Sequence, residues 1–328
     1  MIKNISISLL CTLFVIALVS FIDPSPAKPL QKIGLKTIII DAGHGGKAAG
    51  TSGKYSKEKE VCLDLALKLG KKMEEAFPDV KILYTRTTDV YTDNRWRADF
   101  ANKSAGDLFI SIHANAMPDI KHTKYLGTKK QTYYVKKGGK RIKKTRTVPR
   151  YSVYYTKNNT TYGTETYIWA ADRTDEKEEF VAELVGEDSA EFAPDITDPE
   201  FKARALLWTK KHFDKSLLLA TMVEEEFSSA GRLSLGVKQR NDKGIWVLQA
   251  TGMPSILVEA GFLTNHDEED YLNSEKGQDE ITDNILSAIK RYKTAIESKL
   301  TTQGSAPGAK STKKPSSTST PPLIAKKK

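Results

Sequence analysis

Two cysteines in 328 residues rule out the cross-linked framework on which many small exported domains depend. One of them, Cys11, sits inside the leading apolar run, too early for a lipid-attachment cysteine. Cys62 alone remains for a folded domain, which must hold without an intramolecular disulfide. Flanked by Val61 and Leu63 on a predicted helix, it reads as a small buried hydrophobe. Long apolar runs are equally scarce. The one present, from about Ile5 to Phe21, follows Lys3 and precedes Pro24, Ser25, Pro26 and Ala27. This order predicts an export leader at 1–27, cleaved after Ala27, with retention as a membrane anchor as the alternative. No internal repeat is present, and acidic residues are missing from the last 28 positions.

What is present suffices for one substantial core. A hydrophobic content of 39% over this length predicts a single catalytic domain at 35–298, with insertions and a tail. The formal net charge of +10 is unevenly placed. Between Met117 and Arg150 stand 12 Lys and Arg against Asp119 alone, and residues 301–328 add 6 lysines, so the remainder of the chain is mildly acidic. The excess therefore belongs to two appendages. For an exported protein it suits an anionic envelope polymer or a lipid surface and argues against nucleic acid as partner; the alternative is that both segments are simply solvated.

Apolar patterning predicts α/β architecture, a mainly parallel twisted sheet flanked by helices. Thr37 to Asp41 reads as a buried strand ending in a glycine turn, followed by a helix from Lys57 to Ala76. Val80–Tyr84 and Asp107–Ile112 read as strands around a helix from Tyr91 to Ser104. Residues 117–163, basic and rich in Tyr and Thr, form an insertion with hairpin arms at 131–135 and 151–156. A strand follows at 164–169. Residues 172–200 carry 12 Asp and Glu against Arg173 and Lys177, a second, acidic insertion. A helix is expected from Phe201 to Ser229, strands at 245–248 and 256–259, and a closing helix from Glu275 to Leu300. The Ser, Thr, Pro and Lys of 301–328 predict disorder.

Chemistry gathers at four places. Asp41-Ala-Gly-His-Gly-Gly46 presents His44 at a strand end, Glu58 opens the next helix, Ser111-Ile-His-Ala-Asn115 presents His113 at another strand end, and Leu257-Val-Glu-Ala-Gly261 carries Glu259. Two imidazoles and one carboxylate with an open fourth position form the donor set of a hydrolytic zinc site, and a later glutamate can move protons. Glu60 competes with Glu58 as the third ligand, since residues two apart on a helix face different ways. Asp41 is placed either to orient a ligand or to cap the glycine turn. Arg86 and Arg97 can hold substrate carboxylates or pair internally with Asp89 or Asp99. Asn115 can touch substrate or close a turn.

In this order and spacing the motifs resemble the zinc-dependent N-acetylmuramoyl-L-alanine amidase family. The likeness runs through Ile40–Gly46, Glu58-Lys-Glu-Val61, Thr85-Arg86-Thr87 with Asp89, Arg97, Ala101-Asn102, Asp107–Asn115 and Met253–Asn265, covering roughly residues 35–298 outside the insertions. It implies one Zn2+ per chain on His44, Glu58 and His113, and Glu259 as the catalytic carboxylate; a carboxylate beside a cation needs apolar burial to stay basic, which Val258, Ala260 and Phe262 can provide. It further implies cleavage of the bond between the lactyl group of N-acetylmuramic acid and L-alanine in peptidoglycan, by an exported enzyme of the periplasm or cell envelope. Some members carry an inserted helix that blocks the metal until a partner displaces it. Here Glu176, Glu178, Glu179, Glu183 and Glu187 occupy the matching place, which implies autoinhibition and a protein activator; the alternative is a solvated acidic helix. A monomer is expected. Rival readings are a zinc carboxypeptidase, disfavoured because Lys47 stands where such enzymes place a glutamate three after the first histidine, and a non-catalytic envelope-binding or activator module, disfavoured because no ligand is lost.

Overall fold

A computed structural model describes residues 34–156, 158–173, 177 and 198–303. The expected leader, most of the acidic insertion and the tail beyond 303 lie outside them. Gly34–Thr294 form one compact unit of the chain, apart from its two ends. The sheet and the site belong to it.

Eight strands are described: β1 (Thr37–Ala42), β2 (Lys81–Tyr84), β3 (Leu108–Asn115), β4 (Ile120–Lys137), β5 (Lys140–Thr156), β6 (Thr164–Tyr167), β7 (Ser234–Lys238) and β8 (Ser255–Phe262). Six of them form one sheet in the order β2-β1-β3-β8-β6-β7, while β4 and β5 pair only with each other. The strands from β2 to β8 in that order are parallel, and β6 turns antiparallel to β8. Ile38, Ile39 and Ile40 are fully buried because β1 lies inside a sheet covered on both faces, where successive side chains on opposite sides must all be apolar. Each such side chain stabilises the fold by about 1.5–3 kcal/mol.

The helices are α1 (Glu58–Ala76), α2 (Asn94–Lys103), α3 (Pro199–Ser229), α4 (Trp246–Ala250), α5 (His266–Asn273) and α6 (Glu275–Gln303). Val61, Leu65, Leu69 and Met73 recur every four residues along α1 and are all buried, so one stripe faces the sheet. Cys62 is fully buried among them, and burial pushes its thiol well up. Asp93 caps α2 by accepting from the Trp96 backbone N–H. Ile39, Ala101, Phe109, Trp169, Val247, Leu248, Met253 and Leu257 make one continuous core with Phe213 packed against it.

Two expectations are corrected. Residues 246–248 belong to the short helix α4, with Ile245 its extended N-cap, and not to a strand; four apolar residues in a row do not distinguish a buried helical turn from a strand. The hairpin arms are much longer than expected and Gln131 pairs with Arg146, not with any residue of 151–156. Strand β7 and helix α5 had no sequence forecast, since Ser-Leu-Gly-Val-Lys and a mostly acidic octapeptide give little periodicity.

A candidate metal centre at the carboxyl edge of the sheet

From β1 the chain crosses through α1 to β2 on one side, and from β2 through α2 to β3 on the other. The crevice between β1 and β3 is therefore a topological switch point, where ligands of open α/β sheets collect. His44 follows the end of β1, His113 lies near the end of β3, and Glu58 opens the intervening α1. One Glu58 oxygen, Oε1, lies 2.8 Å from His113 Nδ1 and 3.0 Å from His44 Nε2. Donor atoms of all three residues fall within 4.8 Å of one another. Glu60 turns away, its Oε2 accepting from the Lys57 backbone N–H at 3.1 Å as half of a capping box, so Glu58 is the carboxylate of the cluster.

The surroundings are shaped to these side chains. A Cβ on Gly43 would fall 2.5 Å from the His113 ring, and one on Gly50 would fall 2.5 Å from Glu58 Oε2. His44 has a φ of 59°, a left-handed conformation that costs a non-glycine residue about 1–3 kcal/mol unless its surroundings hold it. Arg97 supplies the hold: its Nη2 donates to the His44 carbonyl at 2.5 Å and its Nη1 to the Ala42 carbonyl at 2.6 Å. Asp41 keeps Arg97 in place at 2.5 Å while accepting from Thr85 and Ser111 hydroxyls, each at 2.6 Å. Burial would raise the Asp41 pKa, but the Arg97 charge and these hydrogen bonds outweigh it and hold the carboxyl low.

Asp41 thus touches no ligand ring and acts on His44 through Arg97. Of the two alternatives for Arg86 and Arg97, the described contacts are internal: both are buried, Arg86 donates to the carbonyls of Ala42, Gly43, Lys59 and Thr88, and Arg97 pairs with Asp41, not Asp99. Asp89 pairs with Lys59 instead and accepts from the Gly46 N–H at 2.7 Å.

Glu259 enters from β8, in register with His113 on one side and with Glu165 of β6 on the other. It is buried, and its Oε2 has no hydrogen-bond partner. Burial, only partly opposed by the His113 charge, pushes its pKa up to about 7. Val258 and Ala260 do not provide that environment as expected, because strand alternation sends them to the opposite face. Glu58, by contrast, is held well below the carboxylate range: burial would raise it, but hydrogen bonds to His113 and His44 prevail.

Four partners had no sequence forecast. Glu165 accepts from Asn115 Nδ2 at 3.1 Å and from the Tyr167 hydroxyl at 2.7 Å. Arg240 lies over the Tyr167 ring, with its Nη2 3.9 Å from Glu259 Oε1. Period-two spacing of Glu165 and Tyr167 was the signal available; Arg240 lies in a loop and gave none. Fully buried Glu269 accepts the backbone N–H groups of Lys54, Tyr55 and Ser56 at 2.7–2.9 Å, together with the Ser56 hydroxyl, and so fixes the loop that delivers Glu58. Glu176, Glu178, Glu179, Glu183 and Glu187 lie outside the described residues. Lys177, between them, is buried and donates to the Leu248 and Thr251 carbonyls at 2.7 and 2.9 Å. His44, Glu58, His113 and Glu259 open onto a cleft of about 750 Å³, walled by Asn115, Arg240, Trp246 and Tyr91 among others.

Comparison with known proteins places this geometry. Residues 38–291 match the family described as N-acetylmuramoyl-L-alanine amidase. The chain is 28% identical over 261 residues to N-acetylmuramoyl-L-alanine amidase AmiC of Escherichia coli, covering 78% of this chain and 52% of that protein. To an uncharacterized cell wall amidase of Bacillus anthracis it is 27% identical over 272 residues, covering 81% and 37% respectively. The chain thus spans about half or less of the length of these two relatives. Among solved structures, N-acetylmuramoyl-L-alanine amidase from Clostridium difficile 630 is similar at a TM-score of 0.50 and 25% identity, over 79% of this chain and 97% of that one.

Proposed function

The chain belongs to the N-acetylmuramoyl-L-alanine amidase family, and from that membership we propose that it hydrolyses the amide bond joining N-acetylmuramic acid to L-alanine in peptidoglycan. The observation that carries the proposal is the placement of Glu259 in register with His113, beside a cluster of two imidazoles and one carboxylate.

His44, Glu58 and His113 fit a zinc ion: the donor set is that of catalytic zinc, the glycine contacts leave room for these side chains and no larger neighbours, and a buried carboxylate oxygen without a partner faces the same cleft. When bound, zinc supplies Lewis acidity, polarising the amide carbonyl and lowering the pKa of water to about 7. Glu259 does the proton work. Its buried carboxylate, pushed up toward neutrality, takes the proton of the attacking water and returns it to the departing nitrogen of L-alanine, without which the amine is a poor leaving group. Asn115 and Arg240 line the cleft beside Glu259 and orient the substrate, Asn115 held by Glu165 and Arg240 lying over the Tyr167 ring. Arg86 and Arg97 hold the histidine loop.

Action on peptidoglycan requires export to the periplasm or cell envelope, consistent with the leader expected at 1–27. Among the described residues no helix is long and apolar enough to cross a membrane.

Digestion of purified peptidoglycan by the protein and by its Glu259→Gln variant tests the proposal. Free stem peptides beginning with L-alanine, released only by the unaltered protein, are the expected products. Shortened stems still attached to sugar would make the enzyme a carboxypeptidase, and no release by well-folded, zinc-loaded protein would make it a non-catalytic module.

A further inference from the structure

Strands β4 and β5 leave the domain as a long arm. They pair with each other from Ile120↔Thr156 to Lys137↔Lys140, and no other described element packs substantially against them. Between Ile120 and Thr156 the arm carries 12 Lys and Arg and no Asp or Glu. Directly opposed side chains share a face, so the register assigns the cations. Lys136↔Arg141 and Tyr134↔Lys143 lie on one face; Lys137↔Lys140, Tyr133↔Lys144 and Gln131↔Arg146 lie on the other.

Like charges facing each other across a ladder are destabilising, and a two-stranded hairpin is marginal in water even without them. The arm has no acid of its own to relieve this repulsion, so folding alone gives no account of its charge. An anionic ligand does. A lipid surface fits poorly: the tip, Lys136-Lys-Gly-Gly-Lys-Arg141, offers nothing apolar to insert, and a flat bilayer would meet only one of two basic faces. A flexible polymer can contact both. Exposed tyrosine rings, such as Tyr151 and Tyr155, add flat apolar faces on which sugar rings can stack.

The arm's roots show which polymer. β4 starts five residues after Asn115 at the end of β3, and β5 leads into β6, whose Glu165 is in register with Glu259. Whatever the arm holds is therefore tethered to the sheet edge that carries the cleft, with the basic tip roughly 50 Å out at about 3.4 Å per residue. We infer that the β4–β5 arm is a binding site for the peptidoglycan polymer itself, gripping free carboxylates of stem peptides at a distance from the bond that is cut. This rests on the amidase reading of the cleft.

The test compares full-length Glu259→Gln protein with the same protein carrying Lys136, Lys137, Lys140, Arg141, Lys143 and Lys144 changed to Gln, in co-sedimentation with peptidoglycan stripped of phosphate polymers by acid. Neutralisation is expected to weaken binding at least about tenfold, the lower end of the range for electrostatic steering, as is a rise to ~1 M salt, where screening acts over about 3 Å. In the Glu259 background, the six substitutions should leave turnover of a soluble muropeptide unchanged. A reagent acting only on the polymer guards against misfolding: amidating the peptidoglycan carboxylates should abolish arm-dependent binding of the unaltered arm. The inference is overturned if neutralised arm and amidated polymer bind as before, if only peptidoglycan still bearing phosphate polymers binds, or if anionic vesicles or an oligonucleotide bind as tightly through the arm. Arm-dependent binding without release of L-alanine-terminated stems would sink the amidase reading and leave the arm's role standing; release without arm-dependent binding does the reverse.

Discussion

Arg97 holds His44 by its carbonyl, at 2.5 Å, and not by its ring. The imidazole keeps both nitrogens for other work while the backbone stays at a φ of 59°. Arg97→Lys is expected to fail, because one ammonium does not reproduce a planar fork reaching Asp41, Ala42 and His44 together. Asp41 then faces a single ammonium in place of the fork, and the charge-assisted hydrogen bonds lost, each worth about 1.5–3 kcal/mol, should appear in urea unfolding. Zinc affinity should fall too, in equilibrium dialysis; affinity unchanged in the folded variant would disprove the link between guanidinium and ligand.

Glu58 and Glu60 make a paired control. Glu60→Ala loses one side of a capping box, costing about 0.5–2 kcal/mol, and should bind zinc as before. Glu58→Ala should lose zinc retention. The opposite pattern, read by metal analysis after dialysis, would reassign the third donor.

Glu269→Gln keeps the shape of a buried clamp and removes its charge. The Lys54–Ser56 loop then loses hydrogen bonds to a carboxylate, each worth about 1.5–3 kcal/mol. A lower melting temperature and faster zinc loss to a chelator are expected. If the variant melts lower but releases zinc at the original rate, Glu269 serves the fold alone.

Lys177 sets a pH dependence of unusual sign. Burial pushes its ammonium down to about 7, whereas an unfolded lysine titrates near ~10.4. Between these values the unfolded chain keeps a proton that the folded chain has released, so stability rises with pH across that window. The neutral amine still donates to Leu248 and Thr251. His212 stays neutral throughout, since burial and then the Lys177 charge push it down to about 3. The gain should be roughly 1–4 kcal/mol, at 1.36 kcal/mol per unit less structural relaxation. Urea titrations from neutral to mildly alkaline pH measure it, and Lys177→Met should flatten the slope. An equal slope in that variant would place the titrating group elsewhere.

The central sheet and the meeting of His44, Glu58 and His113 were legible because both announce themselves locally. Thr37–Asp41 and Asp107–Ile112 are apolar runs of strand length, each closed by its histidine, and Glu58 stands where a helical stripe begins. What stayed hidden depends on contacts between segments far apart in the chain. Arg86 and Arg97 looked available because a sequence does not show that backbone carbonyls of the histidine loop claim their N–H groups. Glu269 lies more than 200 residues from the loop it clamps, and no spacing rule spans that distance. The antiparallel turn of β6 against β8 is likewise set by the chain's re-entering the sheet from the end at which β3 leaves it, not by any pattern within Thr164–Tyr167.

Strand β3 is bonded along both edges, to β1 and to β8, before the chain departs into the arm. The central ladders owe nothing to what happens between Ile120 and Thr156. That stretch can lengthen, shrink or vanish with every sheet partner intact, which makes the site of departure a natural graft point: new surface can be attached next to the chemistry without renegotiating the scaffold that supports it.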